Sequence, residues 1–136
     1  MKIKTHKMKN IYLEKHFFIL SKGNNSGKPM ETPCPNCFVC LCGDEEEKQH
    51  LYWLFYGLWQ GMYFNPFLTG SVIPFIRLED LKQVVKIALA KVELQPQQFD
   101  KNISMMQLLD EKAKIIKEQI KLIKQTKKAL MYQVLK

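Results

Sequence analysis

Acidic residues are scarce in this 136-residue chain: 13 Asp and Glu stand against 21 Lys and Arg, a formal net charge of +8 at pH 7. Long-range electrostatics therefore favour polyanionic partners, with nucleic acid and acidic lipid surfaces as the leading candidates. The N-terminus does not read as a secretory signal. The opening stretch "MKIKTHKMKNIYLEKH" has lysines but no continuous apolar segment and no small-residue cleavage site, so it reads as cytoplasmic. Charge of either sign is absent from Leu51 to Ile76, a length that suffices to cross a bilayer. Gly57, Gln60, Gly61, Asn65, Pro66, Thr69, Gly70 and Pro74 interrupt that run, and they would break a spanning helix and leave backbone groups unsatisfied in lipid. A buried helix followed by a turn and a strand explains the same residues, and no membrane partner is expected.

Convergent catalytic groups are also lacking. His6, His16 and His50 have no nucleophile or carboxylate at a telling spacing. Glu79 and Asp80 are adjacent, so they diverge in a helix or a strand alike. The turn "GNNSGKP" brings glycines and a lysine together after a strand, as phosphate-binding loops do. Only three residues separate Gly23 from Gly27, however, and Pro29 stands where a metal-binding Ser or Thr is required. It reads as a surface turn, with backbone-phosphate contact through Lys22, Asn24, Asn25, Ser26 or Lys28 as the sharper alternative. The expectation is a protein with no catalytic residue, no enzymatic activity and no cofactor.

The 4 cysteines fall together in "PCPNCFVCLCG", at Cys34, Cys37, Cys40 and Cys42. Structural zinc sites draw ligand pairs from separated hairpins, whereas Cys37 to Cys42 also form the apolar run of a strand. If that strand is extended, Cys40 and Cys42 share one face and Val39 and Leu41 the other. No metal site and no disulfide are expected, and the cysteines read as buried free thiols.

The order of elements reads as follows. Ile11 to Leu20 is aromatic and β-branched enough for a strand, and turn residues close it. Cys37 to Cys42 is a second strand, ending at Gly43. Asp44 and Glu47 have the spacing of a reciprocal capping pair, so a helix starts near Glu45. Leu51, Leu54, Phe55 and Leu58 lie on one of its faces, and Trp53, Tyr56 and Trp59 add apolar surface elsewhere. "SVIPFI" reads as a strand near a sheet edge, since Pro74 has no backbone donor. In Leu78 to Leu94 a helical stripe competes with the bunching of Val84, Val85 and Ile87, which favours a short helical turn and then a strand. "LQPQQFDKN" reads as a linker. Beyond it, Leu109, Ala113, Ile116, Ile120, Ile123, Lys127, Leu130 and Val134 alternate spacings of four and three. Leu108, Ile115, Leu122 and Ala129 recur beside them every seventh residue. This is a long helix with a heptad-like seam and a lysine-rich remainder, and it needs a surface to cover its stripe. The fold class is α+β: a small mixed α/β domain over residues 1–98 and a long coiled-coil-like helix over 99–136.

The helix "HLYWLFYGLW", then "GSVIPFIRLEDLKQV", a Pro/Gln segment from Gln95 to Phe99 and a lysine-rich helix ending in "KKALM" together resemble one region of a known family. That region is the end of a target-recognition domain and its following helix in the specificity subunits of type I restriction-modification systems. The resemblance covers the C-terminal two-thirds of the chain. It departs from the family in having a shorter region before the helix, one proline in the linker and no second half-subunit. It implies a noncatalytic module that positions duplex DNA for other subunits. Lys22, Asn24, Asn25, Lys28 and Arg77 would contact phosphates. Leu109, Ala113, Ile116, Ile120, Ile123 and Leu130 would pair with a second copy or with a methyltransferase subunit. The rival reading is a dimeric interaction protein with no nucleic-acid role.

Overall fold

A computed structural model describes every residue from Met1 to Lys136. The architecture is α+β. Strands β1 (Lys2–Thr5), β2 (Lys15–Leu20), β3 (Pro29–Met30) and β4 (Cys37–Cys42) precede helices α1 (Glu45–Gln60), α2 (Leu78–Glu93) and α3 (Pro96–Leu135). The sheet is antiparallel in the order β1-β4-β2-β3, with β4 paired on both sides. Residues Met1–Phe99 form one compact unit and Asp100–Lys136 a second. The boundary lies inside α3 and not in a loop.

Alternation along β4 divides the core in two. Phe38, Cys40 and Cys42 share a face with Phe17 and Ile19 of β2 and Ile3 of β1, and all six pack into the main cluster with α1 and α2. Val39 and Cys37 point the other way, where Phe18 joins them under Tyr12, Met30, Cys34 and Leu41. His6 closes that second face, its ring edge-on to Phe18 at 4.9 Å and its Nδ1 2.9 Å from the Tyr12 hydroxyl. A fully buried side chain such as Phe17 contributes about 1.5–3 kcal/mol relative to exposure.

Helix α1 begins where its capping signal places it, with Asp44 at the N-cap. Asp44 Oδ1 accepts from the Glu47 N–H at 2.8 Å, and Glu47 Oε2 accepts from the Gly43 N–H at 2.6 Å. The first bond satisfies a donor that the helix start leaves unpaired, and the second reaches one residue further back than a reciprocal capping pair, to the N–H before the N-cap. Leu51, Leu54, Phe55 and Leu58 are its buried residues, and Trp53, Tyr56 and Trp59 are half-buried. Gly61 ends the helix, and Phe64 folds back to stack on Phe55 at 6.1 Å.

Five expectations need correction. The strand drawn from Ile11 begins only at Lys15, because Ile11 and Leu13 are 91% and 99% exposed and pair with nothing in the sheet. Two strands were not foreseen: β1, whose lysines obscure a single buried Ile3, and the two-residue β3. "SVIPFI" is not a strand. Thr69 and Phe75 exchange backbone hydrogen bonds at 2.9 and 2.8 Å around a tight loop, and Phe75 forms one further bridge, to Lys22. The stretch from Leu78 is one helix to Glu93, with Leu81, Val84 and Val85 buried. Ile87 stands 48% exposed on its outer side, so the β-branched bunching is split between two helix faces. Tertiary burial of the stripe outweighs local β-propensity there. Finally, "QPQQF" is not a linker. Pro96 opens α3, the first-turn position at which a missing N–H leaves no bond unmade.

Candidate assembly helix and nucleic-acid interface

The seam residues of α3 lie where the periodicity put them, on one continuous helix. From Glu111 to Lys136 every residue is exposed. Ile116, Ile120, Ile123 and Leu130 are each about half exposed or more, at 54%, 48%, 56% and 60%. Leu109 is 58% exposed, and Ala113 is exposed beside it. Local bonds on this segment are few and short-range. Lys114 pairs with Asp110 at 3.5 Å, and the Thr126 hydroxyl donates to the Leu122 carbonyl at 2.8 Å. A helix of this length gains little from such pairs, roughly 0.2–0.5 kcal/mol each. Its apolar stripe therefore remains a surface whose burial would supply most of its stability.

The basic loop is held by backbone contacts. Its two glycines, Gly23 and Gly27, both have left-handed backbone, at φ 96° and 98°. The Gly27 N–H donates to the Leu20 carbonyl at 2.7 Å, and buried Ser26 donates through its hydroxyl to the Gly23 carbonyl at 2.7 Å. The Gly23 N–H donates to the Pro74 carbonyl at 2.6 Å, and the Ile76 N–H donates to the Ser21 carbonyl at 3.0 Å. Those two bonds tie the loop to the segment that ends at Arg77, so Lys22 and Arg77 come from adjoining stretches of backbone. Both side chains are exposed, as is Asn24.

Two of the five phosphate-contact candidates are engaged within the fold. Asn25 Oδ1 accepts from the Trp59 indole N–H at 3.4 Å, and the Lys28 ammonium lies over the Trp59 ring, 5.0 Å from its centre. The residue that organises this corner is Trp59, whose place in the sequence pattern shows only apolar surface. The signal available beforehand was its polar indole at a half-buried position, which calls for an acceptor. Arg77 occupies the N-cap of α2 and makes no side-chain cap bond.

The cysteines divide between the two faces of the sheet. Cys40 and Cys42 lie in the main cluster, Cys37 belongs to the opposite one, and Cys34 packs on that second side. The sheet therefore separates Cys34 and Cys37 from Cys40 and Cys42. The hydrogen bond with Cys42 and then burial push the Cys40 thiol far above the ordinary thiol range, and burial raises Cys37. No group of three or more His, Cys, Asp or Glu is placed to hold a metal ion. No helix is long and apolar enough to cross a membrane.

Comparison with known proteins gives one family. The model described as "Family of unknown function (DUF6943)" matches residues 3–133. No curated protein and no solved structure matches the chain.

Proposed function

The chain belongs to the DUF6943 family, and we propose that it is a noncatalytic assembly module whose α3 pairs with a helix of another polypeptide. The observation that supports this reading is that every residue of α3 from Glu111 onward is exposed, the apolar seam by about half or more, despite its sustained heptad pattern. The partner is a second copy of the chain or a helix of a different subunit, such as a methyltransferase subunit of the kind implied by the restriction-modification resemblance. The setting is cytoplasmic. Sedimentation equilibrium tests this on the full chain alone and mixed with amphipathic heptad peptides bearing acidic or basic flanks. Association in at least one case, abolished by Ile116→Asp with Ile123→Asp, is the expected result. A chain that stays monomeric in every mixture overturns the reading.

One observation favours an added role in contacting duplex DNA. Lys22, Asn24 and Arg77 are exposed on two segments bonded to each other, in a chain of net charge +8. Exposed cations on a fixed backbone suit phosphate contact, which positions a protein without reading bases. A fluorescence titration against duplex DNA should show binding that weakens steeply as salt rises. No binding at low salt, or affinity indifferent to salt, removes the DNA role and leaves the assembly role standing.

A further inference from the structure

The flanks of the α3 seam narrow the choice of partner. Leu109, Ile116, Ile123 and Leu130 take one core position of the heptad, and Ala113, Ile120, Lys127 and Val134 take the other. Lys117 and Lys124 then border the seam on one side, with Lys114, Lys121 and Lys128 in the row behind them. Lys112, Gln119 and Thr126 border it on the other side. From Leu109 to Lys136 there are eight lysines and three acidic residues: Asp110, which borders the seam on the side of Lys117 and Lys124 and pairs with Lys114, and Glu111 and Glu118 on the outer face of the helix. The lysine side chains are all exposed, so their charges face whatever covers the seam.

A second copy answers this pattern poorly. In a parallel pair the flank residue of one chain faces the opposite flank of the other five residues further on, which sets Lys112 against the second copy's Lys117. Gln119 would meet Lys124 in the same way, and Lys127 would face its own counterpart inside the seam. An antiparallel pair instead brings the Lys117 and Lys124 flank against itself. Like charges so placed are destabilising, and the one acid on these flanks, Asp110, already pairs with Lys114 of its own helix at 3.5 Å.

We propose that the α3 seam is covered by an acidic amphipathic helix of a different polypeptide, with apolar residues in its core positions and Glu or Asp on its flanks. This rests on the assembly reading above and goes beyond it by naming the chemistry of the partner. Lys117 and Lys124 act as the charge selectors, and Lys127 sets the register by requiring an acidic or polar residue opposite it in the core.

The test uses the full chain and two synthetic four-heptad peptides with the same Ile and Leu core, one with Glu and one with Lys on its flanks. Isothermal titration calorimetry and sedimentation equilibrium should show a one-to-one complex with the acidic peptide that weakens as salt rises, and none with the basic peptide. Lys117→Glu with Lys124→Glu lies on the exposed side of the helix, and it should lower affinity for the acidic peptide by roughly tenfold or more while raising it for the basic one. Circular dichroism of that variant confirms that the helix remains. Equal binding of both peptides overturns the proposal, because the seam would then be read by apolarity alone. A chain that remains self-associated in excess acidic peptide overturns it too, yet leaves the assembly reading intact. Absence of every association defeats both.

Discussion

Phe64 lies directly over Gly27. A methyl group added to that glycine would stand 2.1 Å from Phe64 Cδ2, and the φ of 98° would strain any L side chain besides. Gly23 has almost the same backbone, φ 96°, but open space where its methyl group would go. The two positions therefore separate strain from steric collision. Gly23→Ala should cost about 1–3 kcal/mol from the backbone alone. Gly27→Ala should cost a further 1–3 kcal/mol or so by overpacking Phe64, a residue 1% exposed. Urea denaturation of the two variants measures the difference. Equal losses would mean that Phe64 moves aside freely.

The capping pair at the start of α1 predicts an acid-sensitive contribution. The Gly43 N–H, and then the chain's terminal ammonium, hold the Glu47 carboxyl below the usual carboxylate range. A carboxylate depressed in the folded state stabilises the fold above its unfolded pKa, and that stability is lost as pH falls through its lowered folded value. Glu47→Gln should therefore leave a shallower acid limb in a plot of stability against pH, with the variants converging at low pH. Asp44→Ala removes the cap itself and should cost about 1 kcal/mol at neutral pH. Denaturant midpoints between pH 3 and 7 check both outcomes.

The same cap was legible in the sequence because it rests on two side chains at a fixed local spacing. The α1 core face and the α3 seam were legible for the same reason: each is a short-period pattern whose apolar members face one way. β4 was legible instead as a short apolar run closed by Gly43, buried on both faces. What escaped was set by distant packing. Val84, Val85 and Ile87 read as a strand until Leu81 and Leu89 are seen burying one helical stripe and leaving Ile87 outside. Pro96 serves equally in a linker or at a helix start, and only the run that follows decides between them. β1 gives one buried residue in four, so no local pattern distinguishes it from a solvated lysine-rich stretch. Of the basic loop, the lysines were visible but the tie between Gly23 and Pro74 was not. It joins segments about fifty residues apart through backbone atoms, on which the side chains are silent.

Thiol reactivity should follow the division of the sheet. Cys37, Cys40 and Cys42 are buried, at 3%, 0% and 4% exposure, and Cys34 is half-buried. Burial raises Cys37, and the hydrogen bond with Cys42 followed by burial raises Cys40, so the reactive thiolate is disfavoured at both. Timed alkylation of the native protein, read by mass spectrometry of its peptides, should mark Cys34 first and Cys40 last. All four should react together in denaturant. Early labelling of Cys40 would show that β4 opens more readily than its central place between β1 and β2 implies.

The engagement of Trp59 divides the basic residues into two experimental classes. Lys28→Gln removes the cation over the indole and should alter tryptophan fluorescence while costing about 0.5–1 kcal/mol of stability, the range for an exposed cation–π contact. It should have the smaller effect on DNA, since the ammonium is already committed to the ring. Lys22→Glu and Arg77→Glu touch no such partner, so the fold should tolerate them to within about 0.5 kcal/mol. Each should weaken duplex binding and flatten its salt dependence, because each removes a contact that releases a counterion. Titrations of the three variants at two salt concentrations, with denaturation curves beside them, assign each residue to one class. A larger loss of DNA affinity in Lys28→Gln than in the other two would move the contact surface from the Lys22 and Arg77 backbone junction to the Trp59 corner.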